Sequence, residues 1–250
     1  MEGEIVNNNF YDELDEQWYL ADKHPIALLR AENARRAPWV NEHIRQYFSS
    51  QPCAVLDVGC GGGFLSNFLA KEKYQVTGID LSEKSLEIAA QKDTTQSVVY
   101  KKGNAYSLPF QENSFDVVCA MDFLEHVEKP KQAIDEMARV LKPNGLFFFH
   151  TFNRNFVSWL FILKGVEWFV PNTPENLHVY RCFIKPKELK SYCSQNELKV
   201  QQLVGLNPVI KSKAFWKLVF TRRISKDFAF KTTSHLTFGY MGYALKNQME

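Results

Sequence analysis

Five short apolar runs alternate along the first 152 residues with segments whose apolar residues recur at helical spacing. The runs are AVLDVG, QVTGID, SVVYKKGN, FDVVCAM and GLFFFHTF, and each predicts a buried β-strand. The segments GFLSNFLAKEK, SEKSLEIAAQK and PKQAIDEMARVLKP predict helices, of which the second is capped by Ser82 and the third is ended by Pro143. Apolar strands separated by helices indicate a parallel sheet covered on both faces, and therefore a doubly wound α/β fold.

The regions on either side of this alternation have different patterns. Residues 25–48 have apolar positions at helical spacing, and Pro38 is expected to divide them into two helices. Residues 153–183 are rich in aromatic and aliphatic side chains and are too long for an ordinary loop, so they predict a lid over a substrate. The segments IKPKELKSYCSQNEL and KVQQLVGL then restore a helix and a strand.

The chain of 250 residues is expected to form a single domain, 1–250. Its parts are N-terminal helices over 1–48, a core over 52–152, the lid or membrane-contact insertion over 153–183, and the C-terminal part of the sheet over 184–250. No apolar run reaches the roughly 18 residues of a spanning helix, so any membrane contact is expected to be peripheral. An odd number of cysteines, five, without C-x-x-C spacing supports neither a disulfide framework nor a zinc site and fits a reducing cytoplasm.

Charge is unevenly distributed although the formal net charge is only +2. Residues 1–180 contain 17 basic and 24 acidic side chains, whereas residues 181–250 contain 13 basic and 4 acidic ones. The basic C-terminal third indicates an acidic partner, and its Phe and Trp content favours phospholipid headgroups over nucleic acid. A merely solvated basic face remains the alternative.

The stretch LDVGCGGG is a glycine turn between a predicted strand and a predicted helix, where a ligand can approach the backbone. It does not fit a dinucleotide fingerprint, because Phe64 occupies the last glycine position, and no Gly-Lys-Ser/Thr follows to make a phosphate-binding P-loop. What remains is the pattern D-x-G-x-G-x-G from Asp57 to Gly63, with a second acid, Asp80, at the end of the next strand.

This pattern resembles that of the class I S-adenosylmethionine-dependent methyltransferases. The resemblance implies a mostly parallel seven-stranded sheet in which Asp80 accepts hydrogen bonds from the ribose hydroxyls of the cofactor. The third-strand loop GNAYSLPF resembles the family's G-D-A-x-x-L-P-F, with Asn104 where an acid usually takes the adenine amino group. The cofactor-contacting residues that the resemblance implies in the core are Asp57, Gly59, Gly61, Gly63, Asp80, Leu81, Asn104, Ala105 and Met121.

Segments after the fifth strand carry a narrower resemblance. FNRNFVSWLF, GVEWFV and HVYRCFIKPKEL are similar, in order, to segments of the 3-demethylubiquinol 3-O-methyltransferases. HPIALLR resembles that family's H-x-I-x-P-L-R, with Leu28 in place of the proline, which makes Arg30 a candidate for the methionine carboxylate of the cofactor. The resemblance implies methylation of a phenolic hydroxyl on a polyprenyl catechol or demethylubiquinol intermediate of ubiquinone biosynthesis, in the cytoplasm or peripherally at the cytoplasmic membrane face.

Two other functions stay open on the sequence. One is a methyltransferase for another small hydrophobic acceptor, because the L-P-F of the third-strand loop is closer to quinone C-methyltransferases. The other is an inactive cofactor-binding subunit of a quinone-biosynthesis complex. A nucleic-acid methyltransferase is disfavoured because no N/D-P-P-Y/F motif follows the fourth strand.

MDFLEHV places two acids and a histidine directly after the fourth strand. Related quinone O-methyltransferases have E-x-x-E-H here and depend on magnesium, so the resemblance makes Asp122, Glu125 and His126 candidate Mg²⁺ ligands. Metal-free contact with the acceptor and a purely structural role are the alternatives. His126 and His178 are the candidates for the base that takes the acceptor's proton.

Overall fold

The computed structural model describes residues 6–48 and 53–248, so residues 1–5 of the predicted N-terminal segment and residue 52 of the predicted core lie outside the described part. Eight strands form one sheet in the order β3-β2-β1-β4-β5-β8-β6-β7. The strands are β1 (Ala54–Val58), β2 (Gln75–Asp80), β3 (Val99–Lys102), β4 (Phe115–Met121), β5 (Leu141–Phe152), β6 (Leu198–Pro208), β7 (Phe230–Thr233) and β8 (Gly239–Lys246).

The first five strands pair in parallel, as predicted. Strand β8 is antiparallel to both β5 and β6, and β7 extends the sheet by an antiparallel pairing with β6. The doubly wound α/β fold is confirmed, and the strand number is eight rather than the expected seven. The extra strand, FKTT, is only four residues long and too short to show an alternating pattern.

The helices are α1 (Gln17–Leu20), α2 (Ile26–Tyr47), α3 (Phe64–Lys71), α4 (Glu83–Lys92), α5 (Pro130–Val140), α6 (Phe156–Ser158), α7 (Gly165–Phe169), α8 (Pro186–Ser194) and α9 (Lys213–Thr221). A π-helical turn, Trp159–Lys164, joins α6 to α7, and we refer to 156–169 together as the cap helix. Ser82 caps α4 as predicted, because its side chain accepts the N–H of Ser85. Within the described ranges, no helix combines the length and apolarity needed to cross a membrane.

Two predicted helix boundaries are wrong. Pro38 lies inside the continuous helix α2 and does not divide it. Ala34 and Pro38 are both exposed, so the carbonyl that loses its helical hydrogen bond can bond to water, while Val40 and Ile44 anchor the helix in the core. Helix α5 ends at Val140 rather than at Pro143, because Leu141 already pairs with β4.

Two hydrophobic layers cover the sheet. One face packs mainly on α5 and α8 through residues such as Ile134 and Leu189, and the other packs on α2 and α3 through residues such as Val40 and Leu69. All five cysteines are buried, and no disulfide joins any two of them. The layers leave the carboxyl ends of the parallel strands uncovered by the core, which is where ligands bind in open α/β sheets.

Candidate active site

The glycine turn follows β1 directly and has a backbone that glycine alone adopts readily. Gly59, Gly61 and Gly63 all have positive φ, at 70°, 49° and 79°. A Cβ at Gly59 would clash with the ring of Phe123, so the first glycine is also required for packing. The turn is held to the neighbouring strand because the Gly61 N–H donates to the Asp80 carboxylate at 2.9 Å.

A polar cavity of about 300 Å³ lies over this turn. Asp80 stands at its edge, where it also accepts the N–H of Ser82 at 2.9 Å. Asp57 is buried at its base and accepts the Ser66 hydroxyl at 2.6 Å. Burial raises the pKa of Asp57 to about 7, with the Ser66 hydrogen bond opposing that shift. Burial likewise raises the pKa of Asp80, although N–H bonds from Ser82 and Gly61 oppose the shift.

Most of the residues predicted to contact the cofactor meet at this cavity, although they come from four different strand ends. Leu81 follows β2, Asn104 and Ala105 follow β3, and Met121 ends β4. The predicted residues that line the cavity are Asp57, Gly59, Gly61, Asp80, Leu81, Asn104, Ala105 and Met121. The Asn104 side-chain oxygen already accepts the Tyr106 N–H, which leaves one lone pair free.

Two residues that were predicted to contact the cofactor, Gly63 and Arg30, do not line the polar cavity. Gly63 packs against Tyr100 and Ala89, so its requirement for glycine comes from the helix start rather than from the cavity. Arg30 does not line the cavity, because its guanidinium donates to the backbone carbonyls of Trp18 and Ala21 at 3.1 and 2.6 Å. Arg30 ties α1 to α2 through these bonds, and its contact with the cofactor stays a prediction.

Arg36, which the sequence gives no reason to select, is the arginine that reaches the polar cavity. Its side chain is 2% exposed and its Nη1 lies 3.3 Å from the Glu32 carboxylate, 3.1 Å from Asp122 Oδ1 and 3.0 Å from His150 Nδ1. His150 is fully buried and Asp122 Oδ1 lies 3.1 Å from the same ring nitrogen. We call Glu32, Arg36, Asp122 and His150 the buried polar cluster.

The ionisable groups of this cluster strongly shift one another's pKa values. Burial and the Asp122 carboxylate raise the pKa of Glu32 to about 8, with Arg36 opposing them. Burial would raise the pKa of Asp122, but Arg36 and His150 outweigh it and hold that pKa well below its usual range. Burial, and then Arg36, lowers the pKa of His150. The cluster therefore favours the ionised form of Asp122, which Arg36 and His150 stabilise, and the uncharged forms of Glu32 and His150.

An N-terminal segment forms the outer wall of the polar cavity. Trp18 is 3% exposed and lies over the glycine turn, since a Cβ at Gly61 or Gly62 would clash with its indole. Tyr11 stacks on Trp18 with 5.6 Å between ring centroids. Both aromatic residues precede the regular strand and helix pattern, so no periodicity marked them as part of a site.

Asp122, Glu125 and His126 lie together after the end of β4, and Glu125 and His126 belong to a short 3-10 turn, Leu124–His126. Asp122 has a positive φ of 66°, which turns the chain sharply as it leaves the strand. Glu125 is fully buried, and burial together with the Asp122 carboxylate raises its pKa well above the usual range. His126 lines the polar cavity, and burial lowers its pKa while Asp122 opposes that shift.

The second predicted histidine is adjacent to the first. The rings of His126 and His178 have centroids 5.2 Å apart, and His178 lines a second cavity. Burial, reinforced by His126, lowers the pKa of His178 to about 3. Both rings are therefore neutral at pH 7 and able to accept a proton, but the pKa of His178 is lower than an effective base needs.

The metal site implied by the resemblance can be tested on this geometry. One ligand atom each from Asp122, Glu125 and His126 lies within 4.8 Å of the others, as does one each from Glu32, Asp122 and His150. Asp122 belongs to both groups, however, and its Oδ1 is already 3.1 Å from the Arg36 guanidinium. Mg²⁺ prefers an octahedron of oxygen ligands with several waters, whereas one of these three side chains is a histidine. Both Glu125 carboxylate oxygens and His126 Nδ1 are buried without a hydrogen-bond partner among the described residues. Magnesium at Asp122, Glu125 and His126 therefore stays a prediction.

The second cavity is larger, about 480 Å³, and almost entirely apolar. The cap helix contributes Phe161, Ile162 and Val166 to its walls, and α9 contributes Phe215 and Leu218. It touches the polar cavity at three residues that line both: Tyr11, Leu29 and Asp122. A polar and an apolar ligand bound in the two cavities would meet at the end of β4.

Comparison with known proteins gives a consistent result. A family model described as a methyltransferase domain matches residues 56–149. The ubiquinone biosynthesis O-methyltransferase of Dechloromonas aromatica is 40% identical over 190 residues, which cover 74% of this chain and 80% of that protein. The protein of the same name from Azoarcus sp. is 39% identical over 187 residues, covering 72% of this chain and 77% of that protein.

Solved structures show the same fold at lower identity. The magnesium protoporphyrin IX methyltransferase of Synechocystis PCC 6803 with bound SAH has a TM-score of 0.67 and 17% identity and covers 96% of both chains. A SAM-dependent methyltransferase from Methanosarcina mazei has a TM-score of 0.58 and 22% identity, over 83% of this chain and 98% of that one.

Proposed function

This chain belongs to the ubiquinone biosynthesis O-methyltransferase family, and we propose that it methylates a phenolic hydroxyl of a polyprenyl catechol, a demethylubiquinol intermediate of that pathway. The methyl donor is S-adenosylmethionine. The observation that carries the proposal is the meeting of a polar and an apolar cavity at Asp122. A donor with a charged amino-acid end and an acceptor with an isoprenoid tail need two such environments side by side.

The proposed donor site is the polar cavity. Asp80 takes the ribose hydroxyls, since a carboxylate can accept from two neighbouring donors. Arg36 takes the methionine carboxylate in place of Arg30, because it is the cation that reaches the cavity. The glycine turn accommodates the methionine part of the cofactor, next to the Trp18 indole that packs directly on Gly61 and Gly62.

Methyl transfer is an in-line displacement. The acceptor oxygen forms a bond to the methyl carbon while the bond from that carbon to the sulfonium sulfur breaks, leaving S-adenosylhomocysteine. The phenolic proton goes to a base and then to water. We assign the base to His126, because it faces the donor cavity, is neutral at pH 7 and has an unpartnered Nδ1 among the described residues. His178 positions the acceptor from the apolar side.

Incubation with labelled S-adenosylmethionine and a panel of demethylquinols, followed by mass identification of the product, tests the function. We expect one added methyl group on a ring oxygen of a catechol-type quinol. Methylation of a ring carbon, or of an unrelated hydrophobic acceptor only, would favour the second candidate reaction. Cofactor binding without turnover of any member of the panel would favour an inactive subunit of a quinone-biosynthesis complex.

We expect the reaction to be insensitive to removal of divalent cations. Arg36 already pairs with Asp122, and the other two candidate ligands, Glu125 and His126, are buried. Turnover after dialysis against EDTA should stay within about twofold of the untreated rate, the spread expected for independent preparations of one active site. A loss of more than tenfold that returns on adding Mg²⁺ would contradict this expectation and restore the magnesium assignment.

We further propose that the protein is cytoplasmic and that its cap helix touches acidic lipid headgroups at the cytoplasmic face of the membrane. Phe156 and Trp168 project from it with exposed fractions of 68% and 54%. Exposed aromatic side chains beside basic ones are typical of interfacial helices, and the basic C-terminal third supplies the charge. An acidic partner protein of a quinone-biosynthesis complex is the competing occupant of this surface.

Vesicle binding distinguishes these occupants. The double substitution Phe156→Ser and Trp168→Ser should weaken binding to anionic phospholipid vesicles about tenfold or more, because burial of two aromatic side chains is lost. The matched control is Leu20→Ser, which removes an apolar side chain that is 69% exposed on α1. Equal binding by wild type, double variant and control, or equal binding to neutral and anionic vesicles, would contradict the lipid contact.

A further inference from the structure

The apolar cavity runs along the ends of the strands, on the side of the sheet where the parallel strands terminate. Its lining includes a residue at the same end of each of five neighbouring strands, namely Asp122 after β4, Phe152 on β5, Phe238 before β8, Pro208 on β6 and Phe230 on β7. The pairing keeps these ends level, because Phe152 and Leu206 both pair with Gly239, and Pro208 pairs with Phe230. The cavity therefore runs across the sheet from β4 to its last strand.

The strand order gives the length of this path. From β4 to β7 there are four interstrand steps, each about 4.8 Å, which makes about 19 Å. An isoprene unit adds four carbon–carbon bonds in line, or about 5 Å of extended chain, and a phenol ring takes about 6 Å by the same bond lengths. With the ring at Asp122, the path holds about two to three isoprene units.

The walls of the apolar cavity are lined by aromatic and aliphatic side chains, which suit an isoprenoid chain. The cap helix covers the path with Phe161 and Ile162, and α9 covers it with Phe215 and Leu218. Helix α9 is fixed over the β7 end, because Phe215 packs on Phe228 and Phe228 on Phe230, with centroid separations of 6.4 and 5.6 Å. Phe161, which packs on Phe238 before β8, and Ile210, which follows β6, are each 56% exposed, so a longer tail can reach solvent on this side of the cavity.

We propose that this cavity is a tail channel of fixed length, which recognises the first two or three isoprene units of the acceptor, and that β7 and α9 set the length. The inference rests on the proposed function and adds a specificity determinant to it. It assigns a role to β7, which the apolar pattern of the sequence did not predict. It also separates recognition of the ring, at β4, from recognition of the tail, along β5 to β7.

A series of catechol acceptors carrying zero to five isoprene units, assayed at one detergent concentration, tests the channel. We expect kcat/KM to rise on the order of tenfold for each unit up to the second or third and then to level, because only buried units add binding energy. A flat series would overturn the channel while leaving the proposed function intact. A rise that continues through five units would overturn the fixed length, and no turnover with any acceptor would overturn both proposals.

A matched pair of substitutions tests the role of β7. Phe230→Trp adds an indole at the end of the channel, where Phe230 is half-buried. The control is Phe48→Trp, which makes the same change at a half-buried position packed on the hydrophobic layer of α2 and α3. In Phe230→Trp we expect kcat/KM to stop rising one isoprene unit earlier than in the wild type. The loss of kcat/KM should be about tenfold larger for the three-unit acceptor than for the acceptor without a tail.

The Phe48→Trp control should show the same dependence of kcat/KM on tail length as the wild type. A loss in Phe230→Trp that is the same for every tail length would overturn the assignment of channel length to β7. Thermal unfolding and the Kd for S-adenosylhomocysteine, measured on both variants, show whether a uniform loss comes from a folding defect. In that event Phe230→Ala serves as the second variant, and an unchanged levelling point in it also overturns the assignment.

Discussion

Replacing His126 by asparagine is expected to lower kcat by about 10²–10⁴-fold, the usual contribution of a positioned general base. Asparagine keeps a polar side chain of similar reach but cannot accept the phenolic proton. Burial holds the pKa of His126 below its ordinary value of 6.5, so the ring is in its proton-accepting form above that pH. The acidic limb of the wild-type kcat/KM profile should therefore lie below pH 6.5, and it should vanish in the variant.

His178→Asn provides the comparison within the same ring pair. Its pKa of about 3 makes His178 a weak base, and its place in the apolar cavity points to acceptor positioning. The variant should raise KM for the acceptor more than it lowers kcat. If the acidic limb of the kcat/KM profile is lost in His178→Asn and kept in His126→Asn, His178 is the base and His126 positions the acceptor.

Arg36→Met is expected to destabilise the fold by about 3–5 kcal/mol, because it leaves the Asp122 carboxylate buried without its cation. For a chain of this size the loss corresponds to a fall in Tm of about 6–20 °C. The variant should also weaken cofactor binding, since Arg36 is the proposed partner of the methionine carboxylate. Urea unfolding and calorimetric titration with S-adenosylhomocysteine measure the two effects separately.

Two further variants separate charge from packing. Adding Asp122→Asn to Arg36→Met removes the unpaired charge, so it should restore part of the lost stability without restoring cofactor affinity. Arg30→Met removes two hydrogen bonds to backbone carbonyls outside the cavity and should leave the Kd for the cofactor near the wild-type value. A Kd that rises in Arg30→Met and not in Arg36→Met would return the carboxylate to Arg30.

The parts of the fold that the sequence predicted are those where local pattern and tertiary structure agree. Strands β1 and β4 are buried along nearly their whole length, and α4 has a serine cap, so each could be recognised from a few residues. The glycine turn is similarly local, because the positive φ at Gly59 and Gly61 favours glycine. Asp80 followed from its position at the next strand end.

The errors arise where tertiary contacts decide. Helix α2 continues through Pro38 because its buried side holds both halves against the sheet. The helix turns its Arg36 side chain toward the cavity, and no motif in the sequence pointed to this arginine. His150 lies inside an apolar strand pattern, so its contact with Arg36 and Asp122 was invisible before the strands were placed beside α2.

The meeting of both cavities at Asp122 divides the sheet into two parts. Strands β1 to β4 end at the polar cavity, the proposed donor site, and β5 to β8 with the cap helix and α9 line the apolar cavity, the proposed acceptor site. Substitutions in the second part are expected to change the choice of acceptor while donor affinity stays the same. This division makes the protein modular, and libraries built for a new acceptor can be confined to the acceptor part.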